Sequence, residues 1–299
     1  MNEGLQAVVN KADILTQALP YIRDFHNKIV VIKYGSRVLK DPALAETVMK
    51  DVVLLKLVGI KPIIVHSGSD EINKWLSLTG KNIEYKNDNR VTDNETMEIV
   101  EMVLGKINKD IVQMIEKNGC KAVGICGKDS GTIKVRKKIV EGQDIGFFGE
   151  IKEINTDLIN DLLEKNFIPV ISSIGISDEF ESYNLKADDV AGAVAKALKA
   201  EKILFLARED GVVYPDTVPK AMITVEEANK IIERGQLDTP TLNKLKTAVD
   251  AIQNGVHRVH IVDGSVEHSI LLEFFTIYGI GTAIVADKSE LYKHERAYR

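Results

Sequence analysis

Short apolar runs alternate with longer amphipathic stretches along almost the whole chain. Ile29-Val30-Val31-Ile32 leads into Lys33-Tyr34-Gly35-Ser36, a run too apolar to have one solvated face, and it predicts a strand buried on both sides. Pro62 to His66, Cys120 to Ile125, Ile168 to Ser172, Ile203 to Leu206, Val259 to Val262 and Gly281 to Val285 predict further strands. Helical spacing predicts helices over 43–57, 70–78, a long stretch after Asp93, 155–165, 188–199, 224–234, 239–254 and 267–276. Thr92 or Asp93 would cap the long one. This alternation predicts the α/β class, a three-layer αβα sandwich around a mostly parallel central sheet. Residues 127–153, rich in Gly, Lys and β-branched side chains, predict a β-hairpin excursion.

Ahead of the first strand, Leu5, Val8, Val9, Ala12, Leu15, Leu19 and Ile22 form one apolar helical stripe, with Pro20 a kink or break. Such a stripe needs a partner, either in its own domain or in another subunit. No flexible linker separates the halves, so the lobes should share one sheet.

Composition narrows the classes. A net charge of −5 and a pI near 5.8 argue against a sequence-wide attraction to nucleic acid or anionic membrane. Cys120 and Cys126 make no disulfide framework and have no matching Cys/His pair for zinc. Glu3, Lys11, Asp13, Arg23 and Asp24 interrupt any signal-peptide core, and the uncharged run Phe274 to Ala286 is too short for a bilayer. A cytoplasmic protein is expected.

Candidate chemistry gathers at strand ends. The first strand ends in Lys33, Gly35 and Ser36, and the second in Ser67, Gly68 and Ser69 ahead of a helix N-terminus that favours an anion. Asn184 and Asp188 lie close together, and Lys244 falls early in a helix. Two lysines and an aspartate suit phosphoryl transfer, where fixed positive charge stabilises the moving group and a carboxylate holds the lysines. Arg90 could clamp a carboxylate in a bidentate fork. Each residue alone also fits a solvated lysine, a first-turn carboxylate or a surface arginine. No Gly-x-x-x-x-Gly-Lys-Ser/Thr loop is present, and no Gly-x-Gly-x-x-Gly follows the first strand.

In order and spacing the motifs resemble those of the acetylglutamate kinases of the amino acid kinase family, from about residue 5 to residue 286. The strings are Val31-Ile32-Lys33-Tyr34-Gly35, Arg90-Val91-Thr92-Asp93 with Glu95-Thr96-Met97-Glu98, Gly127-Lys128-Asp129, Gly149-Glu150-Ile151, Tyr183-Asn184 with Ala187-Asp188, and Asp210-Gly211-Val212. Glu273-Phe274-Phe275-Thr276 with Gly279-Ile280-Gly281-Thr282 closes the series. The resemblance implies a carbamate kinase-like fold and transfer of the γ-phosphate of ATP to the γ-carboxylate of N-acetyl-L-glutamate in arginine biosynthesis. It implies Lys33, Asp188 and Lys244 as catalytic residues. Gly35, Ser36, Gly68, Ser69, Arg90 and Asn184 would line the acceptor and the phosphoryl path. Ala207, Arg208, Gly211 and Thr239 would contact the nucleotide. Magnesium would ride on the nucleotide phosphates, with no dedicated protein ligands. The implied division is an oligomerisation helix at 1–25, an acceptor lobe at 26–196 and a nucleotide lobe at 197–299. It further implies a homo-hexamer, a trimer of dimers joined by that helix, and arginine as an effector beside His268, Glu273, Gly279 and Gly281.

The departures from the family cluster at the crevice. Ser36, Ser67, Ser69 and Ser130 stand for glycines, Thr239-Pro240 for a Gly-Gly pair, Ala207-Arg208 for a Thr-Asp pair and Lys186 for an asparagine. Serine keeps its N–H and harms only where φ must be positive or a ligand touches Cα, whereas Pro240 removes a donor outright. Alternatives to the kinase are therefore a catalytically impaired regulatory or arginine-sensing relative, and a kinase for a related acylated amino acid.

Overall fold

The computed structural model describes residue 9 and residues 12–35, 41–207, 221–276, 280–289 and 292–293. In chain order the strands are β1 (Ile29–Tyr34), β2 (Lys61–His66), β3 (Tyr85–Lys86), β4 (Asn89–Arg90), β5 (Ala122–Ile125), β6 (Ile133–Val140) and β7 (Gln143–Ile154). They continue as β8 (Ile168–Ser172), β9 (Ile174–Ile176), β10 (Ser182–Asn184), β11 (Lys202–Ala207), β12 (Met222–Thr224), β13 (Arg258–Asp263) and β14 (Gly281–Val285). The helices are α1 (Leu19–Phe25), α2 (Pro42–Leu57), α3 (Ser69–Leu78), α4 (Asn94–Lys117) and α5 (Asp157–Glu164), then α6 (Ala187–Ala197), α7 (Val225–Arg234), α8 (Thr239–Gln253) and α9 (Ser269–Phe275).

The main sheet runs β12-β14-β13-β11-β1-β2-β8-β5. Neighbours pair in parallel except β13 with β14, so the sheet is mostly parallel, as expected. β1 and β2 are adjacent in register, Lys33 opposite Val65 and Tyr34 opposite His66. Successive β1 side chains feed opposite cores, which is why the strand carries no polar face. Val31 joins a cluster with Val190 and Val194 of α6 and Leu245 and Ala248 of α8. Val30 and Ile32 join another with Val48 and Val52 of α2, Val100 and Leu104 of α4, and Phe274 of α9. Two helical layers enclosing one sheet make the three-layer sandwich.

Asp93 caps α4, its carboxylate accepting from Thr96 N at 2.8 Å. The expected hairpin is present as β6 and β7, but it continues into a closed four-stranded barrel with β9 and β10. The latter two, three residues each, are too short to show a period. At the N-terminus, helical residues 12–17 meet a turn at Ala18, and α1 restarts with Pro20 in its first turn. Tyr21 and Phe25, which are not stripe residues, are buried, Phe25 edge-on to Phe274 at 5.2 Å, so α1 packs on its own subunit through a different face. Ile14, Leu15 and Leu19 stay more than half exposed.

Candidate active site

β1 lies where the strand order turns outward in both directions, the switch point at which open α/β sheets leave a crevice beyond their carboxyl ends. A cleft of about 590 Å³ opens there. Lys33, next to last in β1, is 9% exposed and enters it from below. Asp188 comes from the first turn of α6 and Lys244 from early in α8. Lys33 Nζ lies 2.8 Å from Asp188 Oδ1, and Lys244 Nζ lies 3.6 Å from Asp188 Oδ2. Burial acts to raise the Asp188 carboxyl, but the charges of Lys33 and Lys244 outweigh it and hold the group below its ordinary value. Lys244 also donates to Pro240 O at 3.3 Å, which steers its ammonium along the first turn of its own helix.

One wall is built by α3 and the β3–β4 hairpin. Gly68 precedes α3 in the N-cap position, and a Cβ there would come within 2.8 Å of side chains of Leu104 and Ile107. Ser69 opens the helix, and Gly35 and Ser69 both line the cleft. Arg90 is 4% exposed, its Nη2 donating to Tyr85 Oη at 2.6 Å and to Ser69 O at 3.4 Å, with its guanidinium 4.8 Å from the Tyr85 ring centroid. Tyr85 and Arg90 are cross-strand partners, so the sheet register sets this contact. Burial lowers the guanidinium's proton affinity, and its Nη1 is buried with no hydrogen-bond partner among the described residues. Asn184 ends β10, its Nδ2 3.5 Å from Thr92 Oγ1, while Thr92 Oγ1 donates to Arg90 O at 2.9 Å.

The other wall carries Ala207, last residue of β11, and the start of α8. Thr239 is exposed, and its neighbours Asp238, Pro240 and Thr241 line the cleft. Asp238 caps α8 by accepting from Thr241 N at 3.1 Å. Pro240 sits in the first turn, where a missing N–H costs the helix nothing. Between them, that helix end offers the cleft fewer free donors than a Gly-Gly start would. Ser36, Arg208, Gly211 and Gly279 lie outside the described residues.

The serine substitutions divide by backbone. Ser130 has φ 52°, in the left-handed region where glycine is favoured, whereas Ser67 and Ser69 do not. Among the residues expected to hold arginine, His268 and Glu273 do not meet. His268 Nδ1 is 2.7 Å from Asp51 Oδ1, on α2, and Glu273 is in buried contact with His260 of β13, whose burial lowers its proton affinity. Gly281 opens β14 against β13, close to the Ile261 backbone. Lys202 Nζ stands 4.5 Å from the Phe25 ring centroid and 4.7 Å from that of Phe274. His260 lies inside an apolar strand run and Lys202 just ahead of one, and the pattern marks neither beyond that.

Sequence reasoning also passed over Tyr85, Asp88 and Asn243, all in the cleft lining. Asp88 has one signal in the sequence, a carboxylate placed in the two-residue turn of a hairpin.

Comparison with known proteins adds the lineage. The profile described as "Amino acid kinase family" matches residues 28–263. The acetylglutamate kinase of Campylobacter jejuni strain RM1221 is 44% identical over 284 residues, covering 94% of this chain and 100% of that protein. The N-acetylglutamate synthase of Neisseria gonorrhoeae, solved with coenzyme A and N-acetyl-glutamate, superimposes with TM-score 0.85 at 25% identity over 92% of this chain and 63% of that one. The same synthase has been solved with coenzyme A and L-arginine, with TM-score 0.81 at 25% identity over 92% of this chain and 65% of that one. Carbamate kinase of Giardia lamblia, at 14% identity and TM-score 0.64 over 87% of this chain and 99% of that one, shares the fold. With its fold, its cleft and a family match spanning most of its length, the chain belongs to the amino acid kinase family.

Proposed function

We propose that this protein transfers the γ-phosphate of ATP to the γ-carboxylate of N-acetyl-L-glutamate, a step of arginine biosynthesis. The observation that carries the reading is the Lys33–Asp188–Lys244 set on the floor of a cleft whose side wall holds a buried arginine. The acceptor is already an anion near neutral pH, so no general base is needed. Its carboxylate oxygen attacks the γ-phosphorus, the bond to the β–γ bridging oxygen breaks, and ADP leaves with that electron pair. Lys33 and Lys244 stabilise the charge on the transferring group. Asp188, ion-paired to both lysines, aligns them rather than attacking. Arg90 and Asn184 orient the acetylglutamate, while Gly35, Gly68 and Ser69 line the phosphoryl path. Magnesium carried on the nucleotide phosphates would supply further charge neutralisation.

In this reading residues 26–196 handle the acceptor and residues 197–299 the nucleotide, and the protein works in the cytoplasm. Release of ADP should depend on N-acetyl-L-glutamate and fall sharply with free glutamate, whose α-ammonium lacks the acyl group. Equal turnover with both would contradict the acceptor assignment and favour a kinase for a different substrate.

A second reading, a relative of reduced or lost turnover that senses arginine, draws on Pro240 and on the Asp238 cap that takes up the Thr241 N–H. We also propose arginine as an effector of a hexamer built through the N-terminal helix. The exposed Ile14, Leu15 and Leu19 support a partner for that helix. The arginine site would draw on His268, Glu273, Gly279 and Gly281, with His260 beside Glu273 and Asp51 beside His268. Sedimentation of the full chain and of one starting at His26, with and without arginine, tests this. One small species in all four runs would contradict it.

A further inference from the structure

We propose that Asp88 is a positioning residue that straps the acceptor wall of the cleft to its nucleotide wall. Its Oδ2 accepts from Lys186 Nζ at 2.8 Å and from Asn243 Nδ2 at 2.9 Å. These donors come from distant parts of the chain. Lys186 stands immediately before α6, which carries Asp188, and Asn243 precedes Lys244 in α8. Arg90 follows two residues after Asp88 in the same hairpin. One carboxylate therefore joins the strand bearing Arg90 to both helices that bear the Asp188–Lys244 pair.

The backbone shows that the side chain, not the turn, explains an aspartate here. Asn87 and Asp88 have φ 47° and 61°, both left-handed, in the two-residue turn between β3 and β4. That geometry favours Asn-Gly, so aspartate at the second position accepts strain that glycine would avoid. The hairpin tip is also braced internally. Asn89 Nδ2 donates to Lys86 O at 3.1 Å and to Asn87 O at 2.8 Å, while its Oδ1 accepts from Lys138 Nζ at 3.2 Å. A tip held this way moves as a unit, and Asp88 sets where it docks.

The consequence is coupling. Each substrate that favours the docked hairpin favours the other, and the two bind cooperatively through Asp88. This rests on the reading above, in which Arg90 faces the acceptor and α8 faces the nucleotide. Asp88 and Lys186 side chains are 41% and 21% exposed, so the effect is modest, about fivefold in affinity, and weakens with salt.

Calorimetric binding of a non-hydrolysable ATP analogue, with and without N-acetyl-L-glutamate, tests the strap in the full chain, Asp88→Gly, Lys186→Met and the double variant. Glycine suits the turn, so Asp88→Gly removes the carboxylate without endangering the hairpin. In the unaltered chain the acceptor should tighten the analogue. In each single variant the analogue should lose about fivefold more affinity with the acceptor present than without it, and the double variant should lose no more than Asp88→Gly. Undiminished coupling in Asp88→Gly, additive losses in the double variant, or no coupling in the unaltered chain would overturn the proposal. Arg90→Ala, measured for acceptor binding alone, separates the two layers. Unchanged acceptor affinity there overturns the assignment of Arg90, whereas the strap stands or falls on the Asp88 and Lys186 variants.

Discussion

Lys33 and Lys244 share a single counter-ion, with Asp188 between them at 2.8 Å from one ammonium and 3.6 Å from the other. The two lysines come from distant parts of the chain. The carboxyl end of a central strand brings one and the start of a helix beyond the switch point brings the other. Removing either should act on the moving phosphoryl group more than on acceptor binding. Lys33→Ala and Lys244→Ala are expected to lower kcat by about a hundredfold or more, as for loss of one oxyanion donor, while KM for N-acetyl-L-glutamate changes little. Steady-state kinetics decide this, and effects confined to KM in both variants would rule out the assigned role.

The start of α8 supplies the next test. Pro240 has no N–H, and Asp238 takes up that of Thr241. Replacing Thr239-Pro240 with Gly-Gly restores one backbone donor facing the cleft without adding a side chain. Turnover should rise several-fold, and KM for ATP should fall, if the site works below capacity. No change in either constant would mean that this helix end does not meet the nucleotide.

Ser130 carries a stability prediction. With φ 52° it holds a left-handed conformation that glycine adopts freely, so Ser130→Gly should stabilise the protein by about 0.5–1 kcal/mol. The same replacement at Ser67, whose φ is not positive, should give no gain. Urea unfolding of the two variants side by side measures the contrast.

Much of this molecule was legible in its sequence because its chemistry follows its fold. A strand as apolar as Ile29 to Ile32 is buried on both faces, a central strand ends at the crevice, and Lys33 at that end lines the cleft. The β3–β4 hairpin and the barrel strands β9 and β10 were not legible, being two or three residues long. Nor were the pairings of Asp88 with Lys186 and Asn243, which join segments that meet only after the sheet has assembled. The left-handed conformation of His268, its contact with Asp51 and the contact of Glu273 with His260 likewise have no signal in the sequence.

Asp51 gives a pH dependence. It is fully buried beneath α9, and burial raises its carboxyl to about 6, against the partial opposing pull of His268 and of the Ile270 and Leu271 backbone. Between roughly pH 4 and 6 the folded protein then holds a proton that the unfolded chain has released, so stability falls as pH rises through that window. Asp51→Asn removes the titration. Its stability relative to the unaltered protein should improve from pH 4 to pH 7 by up to about 3 kcal/mol, the equivalent of roughly two pKa units. Urea unfolding at the two pH values measures it, and a constant difference would contradict the buried-carboxylate account.

The acyl phosphate expected from this cleft can be trapped directly. Incubated with ATP, magnesium, N-acetyl-L-glutamate and hydroxylamine, the protein should form the acyl hydroxamate in step with ADP. Lys33→Ala and Lys244→Ala should reduce both by about a hundredfold or more. ADP formed without hydroxamate, or no acceptor-dependent ADP at all from well-folded protein, would contradict the account.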